Sequence, residues 1–324
     1  MELALNQSLL AGNTSIKDLF FNEKLFQVNE AILEKFVNSL DETIATKETY
    51  LKGARKFIKW ATDNGIEEVT YEDILSYKTY LRNNYTASTI SMYVTSLKRF
   101  YKYLETKGIK NLASDLKGAK QSRNFKKDTL SIDQVKDILN NIDRTNLEGL
   151  RDYALVKLLL TTGLRTIEIE RANIEDIRSV GTQNVLYIQG KGRQDKDDFV
   201  VLPYNTLKAI QDYLKARNVK DSKKPLFASL SDRTNGQALK TRSIRDIVKK
   251  TFKRVGIVSD KITTHSLRHT AITFSLLGGA SLQEAQNMAR HSNINTTLIY
   301  AHNIDRMANN GESKVEKLLK DNGI

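Results

Sequence analysis

The chain has 324 residues, of which 40% are hydrophobic and 27% charged, with a formal charge of +13. That length accommodates two domains with real cores, and the balance excludes a disordered chain. With no cysteine, a disulfide framework and a thiolate-ligated metal are excluded. No run approaches the roughly 18–20 apolar residues that span a bilayer. The N-terminus lacks a basic region followed by an apolar run, so a cytoplasmic protein is expected. The charge is unevenly spread: residues 1–116 carry 15 Lys+Arg against 15 Asp+Glu, whereas residues 117–324 carry 36 against 23. A surplus confined to one part of the chain favours a polyanionic partner.

Residues 1–24 are mixed in pattern and read as an N-terminal extension. Residues 25–108 read as a compact domain of four helices. Ile32, Leu33, Phe36, Val37 and Leu40 recur at helical spacing, as do Tyr50, Ala54, Phe57, Ile58 and Ala61. Thr70 and Asp73 form an imperfect capping box ahead of Ile74, Tyr77 and Leu81. A fourth helix begins near Thr86 or Ser88 and carries Ile90, Val94, Leu97, Tyr101 and Leu104. Trp60 is expected in the core or an interface. Residues 109–128 form a linker, in which Lys117, Lys120, Arg123, Lys126 and Lys127 are cations with no acid among residues 117–127. Such a strap suits a phosphate backbone.

A second domain is expected over residues 129–303, opening with a capping pattern at Ser131 and Gln134. Tyr153 to Leu160 is apolar enough for a buried helix ending at Gly163. Two short strands, Val185–Ile188 and Phe199–Leu202, flank the polar stretch Gly190 to Asp198. A helix with Leu207, Ile210 and Leu214 follows. Residues 241–255 form a basic amphipathic helix, with Arg242, Arg245 and Lys249 on the polar face and Ile244, Ile247, Val248 and Phe252 inward. Residues 304–324 form a tail whose Val315, Leu318 and Leu319 make a short apolar stripe.

The residues that carry chemistry gather late in the chain. His265 and Arg268 share one face at the start of a helix, where arginine presents a fork to two phosphoryl oxygens and histidine moves a proton. Arg165 follows the Gly163-Leu164 turn, and Glu168 three residues on is placed to orient it. Lys191, between Gly190 and Gly192, is a candidate acid for a leaving oxygen, with Lys196 and Arg193 as substitutes. Tyr300 closes the run Asn295 to Ile299. A free tyrosine near pKa 10 is a poor nucleophile, but guanidinium groups beside it stabilise both phenolate and pentavalent phosphate. His291 is a further donor, His269 reads as structural, and His302 lines a helix end.

Taken together, Thr162-Gly163-Leu164-Arg165 with Glu168, Gly190-Lys191-Gly192, His265-Ser266-Leu267-Arg268-His269, His291-Ser292 and Thr296-Thr297-Leu298-Ile299-Tyr300 resemble the tyrosine recombinase (phage integrase) family, its Xer-like members especially. The likeness spans about residues 27–303. It implies a mainly α fold with a small β component: a four-helix SAM-like core-binding domain and a mixed α/β catalytic domain. It also implies that Arg165, Lys191, His265, Arg268 and His291 assist and Tyr300 attacks, with Glu168 supporting and no cofactor or metal. The implied partner is double-stranded DNA carrying a specific recombination site. The implied reaction runs through a 3′-phosphotyrosyl bond and a Holliday junction, in a tetramer on two DNA sites at the nucleoid, with an accessory protein as a further candidate partner. Arg193, Arg242, Arg245 and Lys249 join the linker cations as candidate DNA contacts. The tail is expected to dock on a neighbouring protomer or on its own domain. Arg290 stands where the family usually has glycine. Type IB topoisomerase-like relaxation and non-catalytic DNA binding are the alternatives, and nothing ahead of the helical domain resembles an arm-type DNA-binding domain.

Overall fold

The computed structural model describes residues 23–66, 68–120, 128–190, 192–309 and 311–322, with side chains throughout except at residues 23–29, Met307 and Ala308. Residues 1–22 of the expected 1–24 extension and the candidate cations Arg123, Lys126, Lys127 and Lys191 lie outside the described residues. The chain divides into two units, residues 1–122 and 123–324.

The first unit contains helices α1 (Glu23–Asn38), α2 (Ile44–Asp63), α3 (Tyr71–Asn84) and α4 (Ala87–Glu105). Each presents the apolar stripe its spacing predicts: Leu33 and Phe36, Ala54 and Phe57, Ile74, Tyr77 and Leu81, and Val94, Leu97 and Tyr101 are all buried. α2 and α4 approach closely at Gly53, where a Cβ would lie 2.2 Å from that of Ser96. A side chain at that position would force the helices apart, so glycine sets their spacing. The Thr70–Asp73 box is fully formed, with Thr70 N–H donating to Asp73 Oδ2 at 2.8 Å. Trp60 is half-buried and packs against Tyr77 with ring centroids 5.2 Å apart. The chain beyond α4 is held against it where Ser91 Oγ donates to the Ala119 carbonyl at 3.2 Å, while Lys117 and Lys120 near Ala119 are exposed.

The second unit is built around α6 (Leu147–Thr162), which buries Ala154, Leu155, Val156, Leu158 and Leu159. Around it lie α5 (Ile132–Asn140), the short α7 (Thr166–Glu170), α8 (Tyr204–Arg217), α9 (Thr241–Arg254), α10 (Thr264–Leu277), α11 (Leu282–Ala289), α12 (Asn295–Ala308) and α13 (Gly311–Asp321). α8 and α10 both pack on α6. The sheet has three antiparallel strands in the order β1 (Ile177–Val180), β2 (Gln183–Ile188) and β3 (Asp198–Val201). β2 and β3 are the two strands read from the sequence; β1 is an addition. It is largely exposed, so no apolar alternation marks it. A two-residue turn with Gly181 at φ 57° joins it to β2, a conformation suited to glycine. α12 runs without a break through Asn303, where the sequence reading ends the catalytic domain, to Ala308. The architecture is mainly helical with a small sheet.

Candidate functional site

The site forms where α6 stops. Gly163 caps that helix in the left-handed conformation at φ 60°, and the chain turns through Leu164 into α7. This turn puts Arg165 at the head of α7 and aims the Gly163 carbonyl at two guanidiniums. Arg268, from the first turns of α10, donates to Gly163 O through Nη1 and to Ala289 O through Nη2. Arg290, following α11, reaches the same Gly163 oxygen at 3.5 Å.

Glu168 ties the arrangement together. Its carboxylate is buried and accepts from Arg165 Nη1 at 3.0 Å, from the Arg165 backbone N–H at 2.7 Å and from Arg290 Nη2 at 3.0 Å. The orienting role expected of Glu168 therefore has a geometry, and it extends to a second arginine. Arg165 and Arg290 share one carboxylate, and Arg268 is joined to them through the Gly163 carbonyl that it shares with Arg290. The cluster keeps a cationic excess, as an anion site requires. Burial, and then the charges of Arg165 and Arg290, hold the Arg268 guanidinium below its usual proton affinity. An arriving phosphate would offset that penalty.

Three histidines and the tyrosine meet the arginines. His265 sits in the first turn of α10, its ring 4.7 Å from that of His269 and nearly perpendicular to it. His291 follows α11; its Nδ1 lies 2.9 Å from Thr297 Oγ1, and its ring stacks on Tyr300 at 6.3 Å. Burial comes first for all three, followed by Arg268 and Arg165 at His265 and His291 and by His265 and Arg268 at His269: His265 is lowered, and His269 and His291 fall to about 4. At neutral pH they are uncharged.

Tyr300 projects from α12 into this cluster, 3% exposed, beside Ile272 and Ala289. Burial pushes its phenol up to about 12, with Arg268 pulling the other way. Its hydroxyl oxygen lies 2.5 Å from His269 Nδ1. The sequence suggests a structural role for His269 and does not reveal its contact with the Tyr300 hydroxyl. One signal was available: α-helical spacing places His269 one turn beyond His265.

The hairpin brings a different outcome for its cations. Arg171 at the end of α7 donates to Gly190 O at 3.0 Å, anchoring the β2–β3 connection beside the arginine turn. Lys196 Nζ lies 2.5 Å from the buried Asp176 carboxylate, and Arg193 pairs with Asp197. Both substitutes for Lys191 are thus held by carboxylates. On α9, Arg242, Arg245 and Lys249 are exposed. A cavity of about 700 Å³ opens between that helix and the segment before α10, lined by Arg245, Lys249 and His265 among others. Asp246, Asp260 and the apolar Phe252, Ile257 and Val258 share that lining with the cations. His302 is exposed and lies beyond it.

Residues 128–307 match the phage integrase family profile, and residues 30–111 match the N-terminal SAM-like domain of phage integrases. The chain belongs to the phage integrase family of tyrosine recombinases. This recombinase is 35% identical over 246 residues to tyrosine recombinase XerC of Caldanaerobacter subterraneus, covering 73% of this chain and 66% of that one. It is 30% identical over 274 residues to tyrosine recombinase XerA of Pyrococcus horikoshii, covering 84% and 89%. Its fold is shared with XerH site-specific recombinase in a post-cleavage complex, at a TM-score of 0.69 and 19% identity over 95% of this chain and 94% of that one. Lambda integrase bound to a core site shares it too, with a TM-score of 0.64 and 15% identity over 82% and 95%. The tyrosine recombinase is an enzyme of site-specific DNA cleavage and rejoining through phosphotyrosyl chemistry. No helix among the described residues is long and apolar enough to cross a membrane.

Proposed function

We propose that Tyr300 is the nucleophile of a recombinase that leaves a 3′-phosphotyrosyl bond and frees a 5′ hydroxyl to attack the partner strand. Arg165 and Arg268 take the nonbridging oxygens of the scissile phosphate, His265 and His291 donate to the same group, and Glu168 fixes the arginines. Lys191 protonates the departing 5′ oxygen. Four protomers synapse two duplexes and pass through a Holliday junction. Arg242, Arg245 and Lys249, with Arg193 and the linker cations Lys117, Lys120, Arg123, Lys126 and Lys127, hold the backbone of double-stranded DNA. The work is done on chromosomal or plasmid DNA in the cytoplasm.

One observation carries this reading: Tyr300 meets His269 and His291 and lies near Arg268, whose guanidinium shares the Gly163 carbonyl with Arg290. Cations there lower the energy of a phenolate and of a pentavalent phosphate together. The tail supports the assembly. α13 buries none of its side chains, and its Val315, Leu318 and Leu319 are 58%, 64% and 43% exposed. A helix of 11 residues is marginal alone, so its apolar stripe is suited to a groove on a neighbouring protomer.

The test pairs a plasmid carrying two copies of a duplex site selected by the protein with a site-free supercoiled plasmid. Recombinant products from the first and an unchanged second plasmid are expected. Relaxation of the site-free plasmid without recombination would replace this reading with a topoisomerase. Deleting the residues after Asn310 should leave single-site binding intact and impair two-site synapsis; undiminished synapsis would rule out docking of the tail in trans.

A further inference from the structure

Among the side chains gathered at Tyr300, His269 places a ring nitrogen against the proposed attacking oxygen. We propose that His269 is a catalytic base that accepts the Tyr300 proton as the phosphorus–oxygen bond forms. This inference rests on Tyr300 being the nucleophile.

The geometry is direct. Nδ1 of His269 lies 2.5 Å from the Tyr300 oxygen, with ring centroids 5.6 Å apart and planes inclined by 36°. Both side chains are buried, so bulk water is a poor competitor for the proton. The neighbouring His291 places its own Nδ1 on Thr297 Oγ1 at 2.9 Å. His265 meets His269 ring against ring at 4.7 Å.

The step balances. The phenolic O–H bond breaks as N–H forms on Nδ1, and the oxygen electron pair makes the bond to phosphorus. The bond from phosphorus to the 5′ oxygen breaks, and that oxygen takes a proton from the acid, proposed as Lys191. When a 5′ hydroxyl later displaces the tyrosine, the imidazolium returns its proton to the phenolate. His269 is ready for this in the free protein. It faces His265 and Arg268 on its own helix, His291 beyond α11 and Tyr300 on α12. Burial first, then His265, Arg268 and His291, hold it at about 4, leaving its lone pair unprotonated at neutral pH. The negative charge of a bound phosphodiester offsets Arg165 and Arg268. That change raises the proton affinity of His269 where the reaction requires it.

His269→Gln and His269→Ala test the assignment on a nicked duplex chosen by the intact protein from a randomised library. Glutamine can accept the hydroxyl hydrogen bond but cannot carry away the proton. It should bind the duplex as the parent does and form the covalent adduct slower by roughly 10²-fold or more. Its rate should keep climbing with pH, while the parent's levels off once His269 is neutral. Added imidazole should accelerate His269→Ala. Should the glutamine variant fail to fold, that rescue decides: acceleration supports the base, and its absence with binding intact overturns it. A glutamine variant with the parent's rate and pH profile also overturns it and leaves the contact as packing. Tyr300→Phe runs alongside. An adduct from that variant would instead remove the nucleophile assignment on which this inference stands.

Discussion

Arg290 shows how one side chain can oppose its own backbone. It adopts φ 53°, a left-handed conformation that costs a non-glycine residue about 1–2 kcal/mol. In return its guanidinium reaches Glu168 at 3.0 Å and the Met288 carbonyl at 2.7 Å, although its buried Nε has no partner. Charge-assisted hydrogen bonds contribute about 1.5–3 kcal/mol each, so the side chain outweighs the strain. Arg290→Gly should therefore lower stability by about 1–5 kcal/mol, while Arg290→Ala, which keeps the strain and loses the contacts, should cost about 1–2 kcal/mol more. Urea unfolding of the pair measures this; a glycine variant less stable than the alanine one would contradict it. The histidines set a pH dependence of known sign. His269 and His291 are depressed to about 4 from an ordinary 6.5, so the unfolded chain binds more protons between those values. Their contribution is full above about pH 6.5 and is lost as pH falls toward 4, at no more than about 1.4 kcal/mol per pH unit for each group. Unfolding at pH 7 and pH 5 should show the loss, and equal stability would refute it.

At the scale of elements, the α6–α7 turn carries the most consequence. A Cβ at Gly163 would meet Ala271 at 3.6 Å and Arg268 at 3.7 Å, ordinary contacts, so the penalty of Gly163→Ala is conformational. It should cost about 1–2 kcal/mol in stability. Site cleavage should fall further than that loss predicts, because the Gly163 carbonyl holds Arg268 and Arg290. A variant destabilised to this degree yet cleaving at the parent rate would show that the carbonyl is not needed to hold them. The helices of the first unit were legible because Phe36, Phe57, Tyr77 and Leu97 lie on amphipathic stripes whose period matches the helix. β1 was not, because its exposed side chains leave no alternation and only the Gly181 turn signals a hairpin. Within the site, Arg165, His265, Arg268, His291 and Tyr300 could be picked out by type and order. The second partner of Glu168 could not: Arg290 is 122 residues away in sequence, and only the tertiary fold brings it within reach. The His269–Tyr300 contact was hidden for the same reason.

For the whole molecule, the charge asymmetry becomes a property of DNA binding. Each cation that neutralises a phosphate adds about 0.9 to the slope of log affinity against log salt. Replacing Arg242, Arg245 and Lys249 together by alanine should lower that slope by about 2–3, and an unchanged slope would remove α9 from the DNA-binding surface. The proposed nucleophile is one atom among all these charges, the Tyr300 oxygen. It is tested most directly by trapping the protein on a nicked duplex carrying its selected site, digesting the adduct and sequencing the peptide that retains the nucleotide. Tyr300 joined to a 3′ phosphate is the expected result, with no adduct from Tyr300→Phe. A nucleotide on any other residue, or one joined through a 5′ phosphate, would contradict it.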